Sequence, residues 1–181
     1  VGDIEGQIFI EAIRQFRKEV GPGNTLYVHV TLIPEVGPWH ELKTKPTQHS
    51  VIRLREMGIQ PDVLVCRTSH PMSEDMRDKL SLFCDVGREA VIESLNAETI
   101  YEVPLIYERM GLGELVIARL GLPDSPPDMA DWERIVQRIK NPTRRVRVAV
   151  VGKYTENGDA YISIAEALKH GGIANDTGVD L

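Results

Sequence analysis

Cysteine is scarce in this chain: two in 181 residues, Cys66 and Cys84, without CxxC spacing. That excludes a disulfide framework and a cysteine-built zinc site, and leaves two buried free thiols as the expectation. Histidine is sparse too. The five lie at 29, 40, 49, 70 and 170, with no HxH or HxxxH pair, so their spacing provides no metal site. No apolar run approaches the roughly 20 residues that cross a bilayer. Positive charge is not in excess: 21 Lys and Arg against 27 Asp and Glu give a net charge of −6, which argues against a general nucleic-acid surface. Neither a GxxxxGK[ST] phosphate loop nor a GxSxG nucleophile elbow occurs, and "VGKY" (Val151–Tyr154) has one glycine and one lysine only. An initiator Met and a signal peptide are missing as well. Both ends read as cut, so the chain is expected to be a piece of a larger, cytoplasmic protein.

What is present is enough for one full domain, or one domain and part of another, at 42% hydrophobic residues. Residues 4–20 have helical periodicity through Ile8, Phe9, Ala12, Ile13 and Phe16, with Asp3 as the expected N-cap and Gly21-Pro22-Gly23 as the stop. Thr25–Ile33 is rich in β-branched and aromatic residues and is expected to be a buried strand. After a loop, Thr47 is expected to cap a helix to about Met57, with Val51 and Leu54 inward and Gly58 at its end. Strands are expected at Asp62–Arg67 and Ala90–Ser94, and helices over 73–83 and 99–120, the latter broken by Gly111 and Gly113. This alternation, with apolar strands, indicates an α/β domain with a parallel sheet. Residues 121–145 hold four prolines and one amphipathic helix at about 129–139, and read as a linker. A further strand, "VRVAVVGKY", and a helix closed by Gly171-Gly172 then open a second α/β unit.

One short cluster stands out against the acidic background. "KTKPTQHS" (Lys43–Ser50) places two lysines and two threonine hydroxyls at a helix start. Free N–H groups and the positive end of the helix dipole gather there, so Lys43, Thr44, Lys45, Thr47 and Gln48 suit a polyphosphate. The alternative is a solvated basic loop with an ordinary threonine cap. "GDIE" (Gly2–Glu5) sets two carboxylates at another helix start, fit to accept from ribose or base donors or to sit near a metal, or simply to cap. Lys79 stands alone on its helix and reads as solvated. His29 sits mid-strand and reads as a satisfied core or sheet-end group.

"VGDIE", "KTKPTQHSV", "GIQPD", "LFCDV", "IYEVP" and "VGKY…DAY" with "EALKHGG" occur in one order along the chain. Together they resemble the CTP synthase family, glutamine-dependent amidoligases that convert UTP to CTP. The resemblance implies a P-loop-like, dethiobiotin-synthetase-type amidoligase domain followed by the first βα unit of a class I glutaminase domain. It implies synthetase residues 1–121, a linker at 122–145, and the start of the glutamine amidotransferase domain at 146–181. It further implies that Lys43, Thr44, Lys45, Pro46, Thr47, Gln48 and Lys79 bind the UTP or CTP triphosphate. By the same resemblance Asp3, Ile4 and Glu5 contact CTP, and Leu95, Asn96 and Ala97 contact ATP through the backbone.

Catalytic and metal residues are not expected in this stretch. In the family, the ATP phosphate loop and the Mg²⁺-holding acids lie before the position of Val1, and the glutaminase nucleophile lies after that of Leu181. ATP, Mg²⁺, UTP, CTP, glutamine and the activator GTP are the implied cofactors and partners, with feedback inhibition by CTP and a homotetramer, and with no nucleic acid or membrane. Glu35, Trp39 and His40 stand where the family more often has a Tyr and a Ser-Gly pair, and Gln7-Ile8 where Leu-Pro is common. Two other readings stand beside this one. One is a non-catalytic assembly or regulatory segment of the same enzyme, with interface from the helices at 5–20 and 99–120. The other is a different P-loop-like amidoligase.

Overall fold

A computed structural model describes residues 1–181. The chain is α/β and divides into two compact units. The first comprises Val1–Glu98 and Ile106–Pro126, the second Thr99–Leu105 and Pro127–Leu181.

The first unit is organised around three parallel strands, β1 (Val28–Leu32), β4 (Val63–Thr68) and β5 (Val91–Leu95), in the order β1-β4-β5. A small antiparallel hairpin, β2 (Glu35–Val36) and β3 (Glu41–Leu42), follows β1. Helices α1 (Gln7–Val20), α2 (Lys45–Glu56) and α3 (Glu74–Cys84) complete the N-terminal part, and the unit also takes α4 (Val103–Arg109) from Ile106 onward and α5 (Leu112–Leu120). Central β4 is buried on both faces, as its run Val63-Leu64-Val65-Cys66 requires. Leu64 and Cys66 pack with Val51, Leu80 and Cys84 of α2 and α3. Val63 and Val65 pack with Ala90 and Ile92, covered by Tyr107, Leu112 and Leu115. Gly58, in the left-handed region at φ 83°, turns the chain from α2 toward β4.

Three expectations in this unit are corrected. Helix α1 begins at Gln7, with Gly6 at the N-cap, because the Asp3 carboxylate accepts from the Glu5 amide (3.2 Å) and holds 4–6 in a turn. Strand β1 is shorter than Thr25–Ile33 and is not buried: it lies at the sheet edge, and Val28, Val30 and Leu32 point away from the covered face, Leu32 at 58% exposure. Helix α2 begins at Lys45 with Thr44 at the cap position, so Thr47 is a first-turn residue rather than the cap.

The second unit contains α6 (Ala130–Lys140), β6 (Arg144–Arg147), α7 (Ile162–Ala174) and β7 (Thr177–Asp180). Strands β6 and β7 pair in parallel with α7 as the crossover. The strand expected through Tyr154 stops at Arg147. Helix α7 runs through Gly171-Gly172 instead of ending there. Gly172 is buried, and a Cβ on it would collide with the Thr177 carbonyl oxygen, so this glycine serves a close helix–strand approach rather than a stop. Tyr101 anchors the unit's polar contacts: its hydroxyl donates to Glu166 (2.8 Å), and its carbonyl accepts from the Trp132 indole (2.6 Å).

Burial pushes the Cys66 thiol up to about 12 and the Cys84 thiol up to about 11. At about pH 8 both therefore stay protonated, and a thiol reagent is expected to label them at least about tenfold more slowly in the native protein than in urea. Leu80 is fully buried against Val51 and Cys84. Leu80→Ala is expected to lower unfolding free energy by about 2–5 kcal/mol, read from urea denaturation.

Candidate functional site: a lysine-lined cavity

The start of α2 is fastened to β1 by side-chain hydroxyls. Thr47 is fully buried; its hydroxyl shares a 3.0 Å hydrogen bond with that of Thr31 and lies 3.4 Å from the Leu32 carbonyl. One turn on, Ser50 bonds the His29 ring at 2.9 Å, and burial lowers the pKa of that imidazole, favouring its neutral form. Gln48 donates its amide to the Thr44 hydroxyl (3.2 Å), and both are buried. Pro46 lies in the first turn, where its missing N–H is no loss. With Thr47 and Gln48 turned inward, the flanking lysines are left at the surface.

Lys43, Thr44 and Lys45 line a cavity of about 760 Å³ together with Lys79 of α3. The same cavity takes in His40 and Glu41 from the hairpin and His70 and Ser73 from the loop after β4. It is therefore built from connections that follow the carboxyl ends of β1 and β4, where open parallel sheets place their ligand sites. Lys43 pairs with Glu41 at 2.5 Å, while Lys45 and Lys79 have no carboxylate partner. Ser73 caps α3 by accepting from the Met76 amide (3.3 Å), which fixes the helix that carries Lys79.

The remaining sequence-predicted residues lie elsewhere. Thr47 and Gln48 are buried and do not line the cavity, and Pro46 is exposed outside its lining. Asp3, Ile4 and Glu5 are exposed ahead of α1, Ile4 at 81%, and do not line the cavity. Leu95, Asn96 and Ala97 lie at the end of β5, where the Asn96 amide is already donated to the Thr68 carbonyl (3.0 Å). No group of three or more His, Cys, Asp or Glu side chains is arranged to hold a metal ion.

Sequence reasoning did not find Glu41, His70 or Ser73 as cavity residues, and had Glu35 and His40 only as departures from a pattern. The available signal was position: all five sit in connections that follow parallel strands. Glu35 is the centre of this group. Its carboxylate accepts from Ser69 (2.6 Å), pairs with His70 Nε2 at 2.7 Å, and contacts His40 Nδ1. The Ser69 and His40 hydrogen bonds hold its pKa below the ordinary glutamate value.

The family model described as CTP synthase N-terminus matches residues 1–122. The chain belongs to the CTP synthase family. Curated relatives named CTP synthase align with all 181 residues: 59% identical in Thermomicrobium roseum, 58% in Methanocaldococcus jannaschii and 56% in Ruminiclostridium cellulolyticum. The chain spans 33%, 34% and 34% of those proteins, about a third of their length. Membership of the CTP synthase family sets aside the reading as a different amidoligase. No helix is long and apolar enough to cross a membrane.

Thr47→Val keeps the volume of the side chain and removes its hydroxyl from Thr31 and Leu32. A loss of about 1–3 kcal/mol in urea unfolding is expected, with Thr47→Ser recovering most of it.

Proposed function

We propose that this chain is part of an enzyme that aminates UTP to CTP, using ATP and glutamine-derived ammonia, and that it supplies the triphosphate-binding part of the pyrimidine-nucleotide site. The observation that carries this reading is the convergence on one cavity of Lys43 and Lys45, at the start of α2, and Lys79 of α3. Two of these ammonium groups are free of carboxylates, in a protein whose net charge is −6. A local cationic pocket is what an acidic protein needs to hold a polyanion.

The role of the segment is positional. Lys43, Lys45 and Lys79 neutralise the triphosphate of UTP, and of CTP as competing product, through charge-assisted hydrogen bonds. Thr44 lies on the wall beside them. Fixing the triphosphate fixes the attached base relative to its reaction partner, which lowers the entropic part of the barrier. Asp3, Ile4 and Glu5 are assigned to CTP and the backbone of Leu95, Asn96 and Ala97 to ATP, both on family resemblance. The latter strip leaves the Ala97 amide for such a contact, since that of Asn96 is engaged. The residues here do not fit a resident Mg²⁺, and no step is assigned to one.

The domain assignment follows the same reading: residues 1–121 as the synthetase part, 122–145 as linker, and 146–181 as the opening of the glutaminase domain. The parallel β6-α7-β7 unit supports the last of these. Glutamine, GTP and a homotetrameric assembly belong to the proposal as family properties. An assembly role is favoured by one observation: α1 has no buried residue and exposes Ile8, Phe9, Ile13 and Phe16, with Ile8 at 71%. Light scattering with and without UTP and ATP separates this reading, since an assembly segment changes mass while a binding segment alone does not.

Titration calorimetry with UTP tests the main reading. Lys43→Ala and Lys79→Ala are each expected to weaken binding about tenfold or more. Unchanged affinity in both would sink the triphosphate role. Glu41→Gln, which frees Lys43 of its counter-charge, is expected to tighten binding.

A further inference from the structure

The lysine cavity has a second charged group on its wall. His40 lines it from the hairpin and His70 from the loop after β4, and the two rings stand edge to face with centroids 6.3 Å apart. Both imidazoles meet the single carboxylate of Glu35, His70 Nε2 at 2.7 Å and His40 Nδ1 on the other oxygen. His40 is held in the left-handed region at φ 54°, a backbone state that β-carbon-bearing residues seldom adopt, so the hairpin is shaped to bring this ring to Glu35.

Resting on the reading of the cavity as a polyphosphate site, we propose that His40 and His70 are further anion-binding residues of that site, recruited by protonation and gated by Glu35. They extend the lysine cluster toward the hairpin and take the polyphosphate tail of the nucleotide. Imidazole is the side chain whose charge changes nearest neutral pH. Glu35 remains ionised throughout that range, because Ser69 and His40 donate to it. The trio therefore carries one negative charge with both rings neutral and one positive charge with both protonated.

The sign of the rim thus reverses while the lysines do not change. The other charged groups around the rings are Glu41 on the hairpin, Lys43 and Lys45 at the start of α2, and Lys79 on α3. Glu41 and Lys43 offset one another at 2.5 Å. An arriving polyanion attracts imidazolium, so binding takes up protons.

The probe is inorganic tripolyphosphate, which lacks base and ribose, titrated calorimetrically at about pH 5.5 and about pH 8, on either side of histidine titration. The comparison is between wild type and the double variant His40→Asn, His70→Gln. Asparagine tolerates the left-handed backbone at 40, and glutamine at 70 keeps a donor for Glu35. Tripolyphosphate titrates too, but identically with both proteins, so the difference in pH slope isolates the rings. Wild type is expected to gain about tenfold more affinity on acidification than the double variant. It is also expected to show proton uptake on binding that depends on buffer ionisation heat, and the variant is not. Glu35→Gln is expected to raise affinity at the higher pH.

Equal slopes and equal proton uptake in wild type and variant would overturn the proposal while leaving the lysine site standing. Tripolyphosphate binding that is indifferent to Lys43→Ala at both pH values would instead remove the cavity reading itself.

Discussion

The hydroxyl of Thr47 sits where the sheet, helix α2 and the cationic loop meet, and its contacts with Thr31 and Leu32 set the geometry of everything around it. A fully buried hydroxyl must find partners, and here those partners belong to the edge strand. That requirement fixes the rotation of α2 about its axis. With Thr47 and Gln48 directed inward, Lys43 and Lys45 are carried to the open side, facing α3 and its Lys79. The His29–Ser50 bond repeats the same fastening one turn later, so the helix is held to β1 at two points. A basic loop that was merely solvated would not need such an anchor.

Parallel-sheet architecture explains why a cavity forms at this place at all. Each strand delivers its chain to the same end of the sheet, and the connections from β1 and β4 turn there into α2 and α3. The first hosts the hairpin that bears Glu35, His40 and Glu41. The second bears Ser69, His70 and the Ser73 cap. Cationic groups from the start of α2 and from the middle of α3 then share one space with acidic groups of one hairpin. With the space empty, Glu41 pairs with Lys43 and Glu35 with the two histidines, while Lys45 and Lys79 have no carboxylate partner. Whatever anion enters must compete with carboxylates already in position, which makes the hairpin a natural place for affinity to be tuned.

Much of the fold could be read directly from residue pattern. The unbroken apolar run of β4 could only be a doubly covered strand. Val51 and Leu54, with Gly58 behind them, marked α2. The misplacements share a cause. Asp3, Thr47 and Gly172 each have a residue type with a strong local role, as cap, cap and stop. Each was taken over by a contact from elsewhere in the chain or nearby backbone: the Glu5 amide, the Thr31 and Leu32 oxygens, and the Thr177 carbonyl. Strand β1 was misjudged for the same reason. Apolar composition marks a strand, whereas burial depends on neighbours, and β1 has a strand on one side only.

The sequence by itself determined the family, the α/β alternation and the existence of a cationic cluster, because these depend on residue order and on short-range periodicity. Tertiary structure decided which members of "KTKPTQHS" face a ligand. Lys43, Thr44 and Lys45 line the cavity, while Thr47 and Gln48 are buried behind them. It also decided that Lys79, unremarkable on its own helix, and His70, absent from any motif, stand opposite those lysines. Convergence of this kind is set by strand order and by how buried hydroxyls rotate a helix, and neither quantity is written in the spacing of residues along one chain.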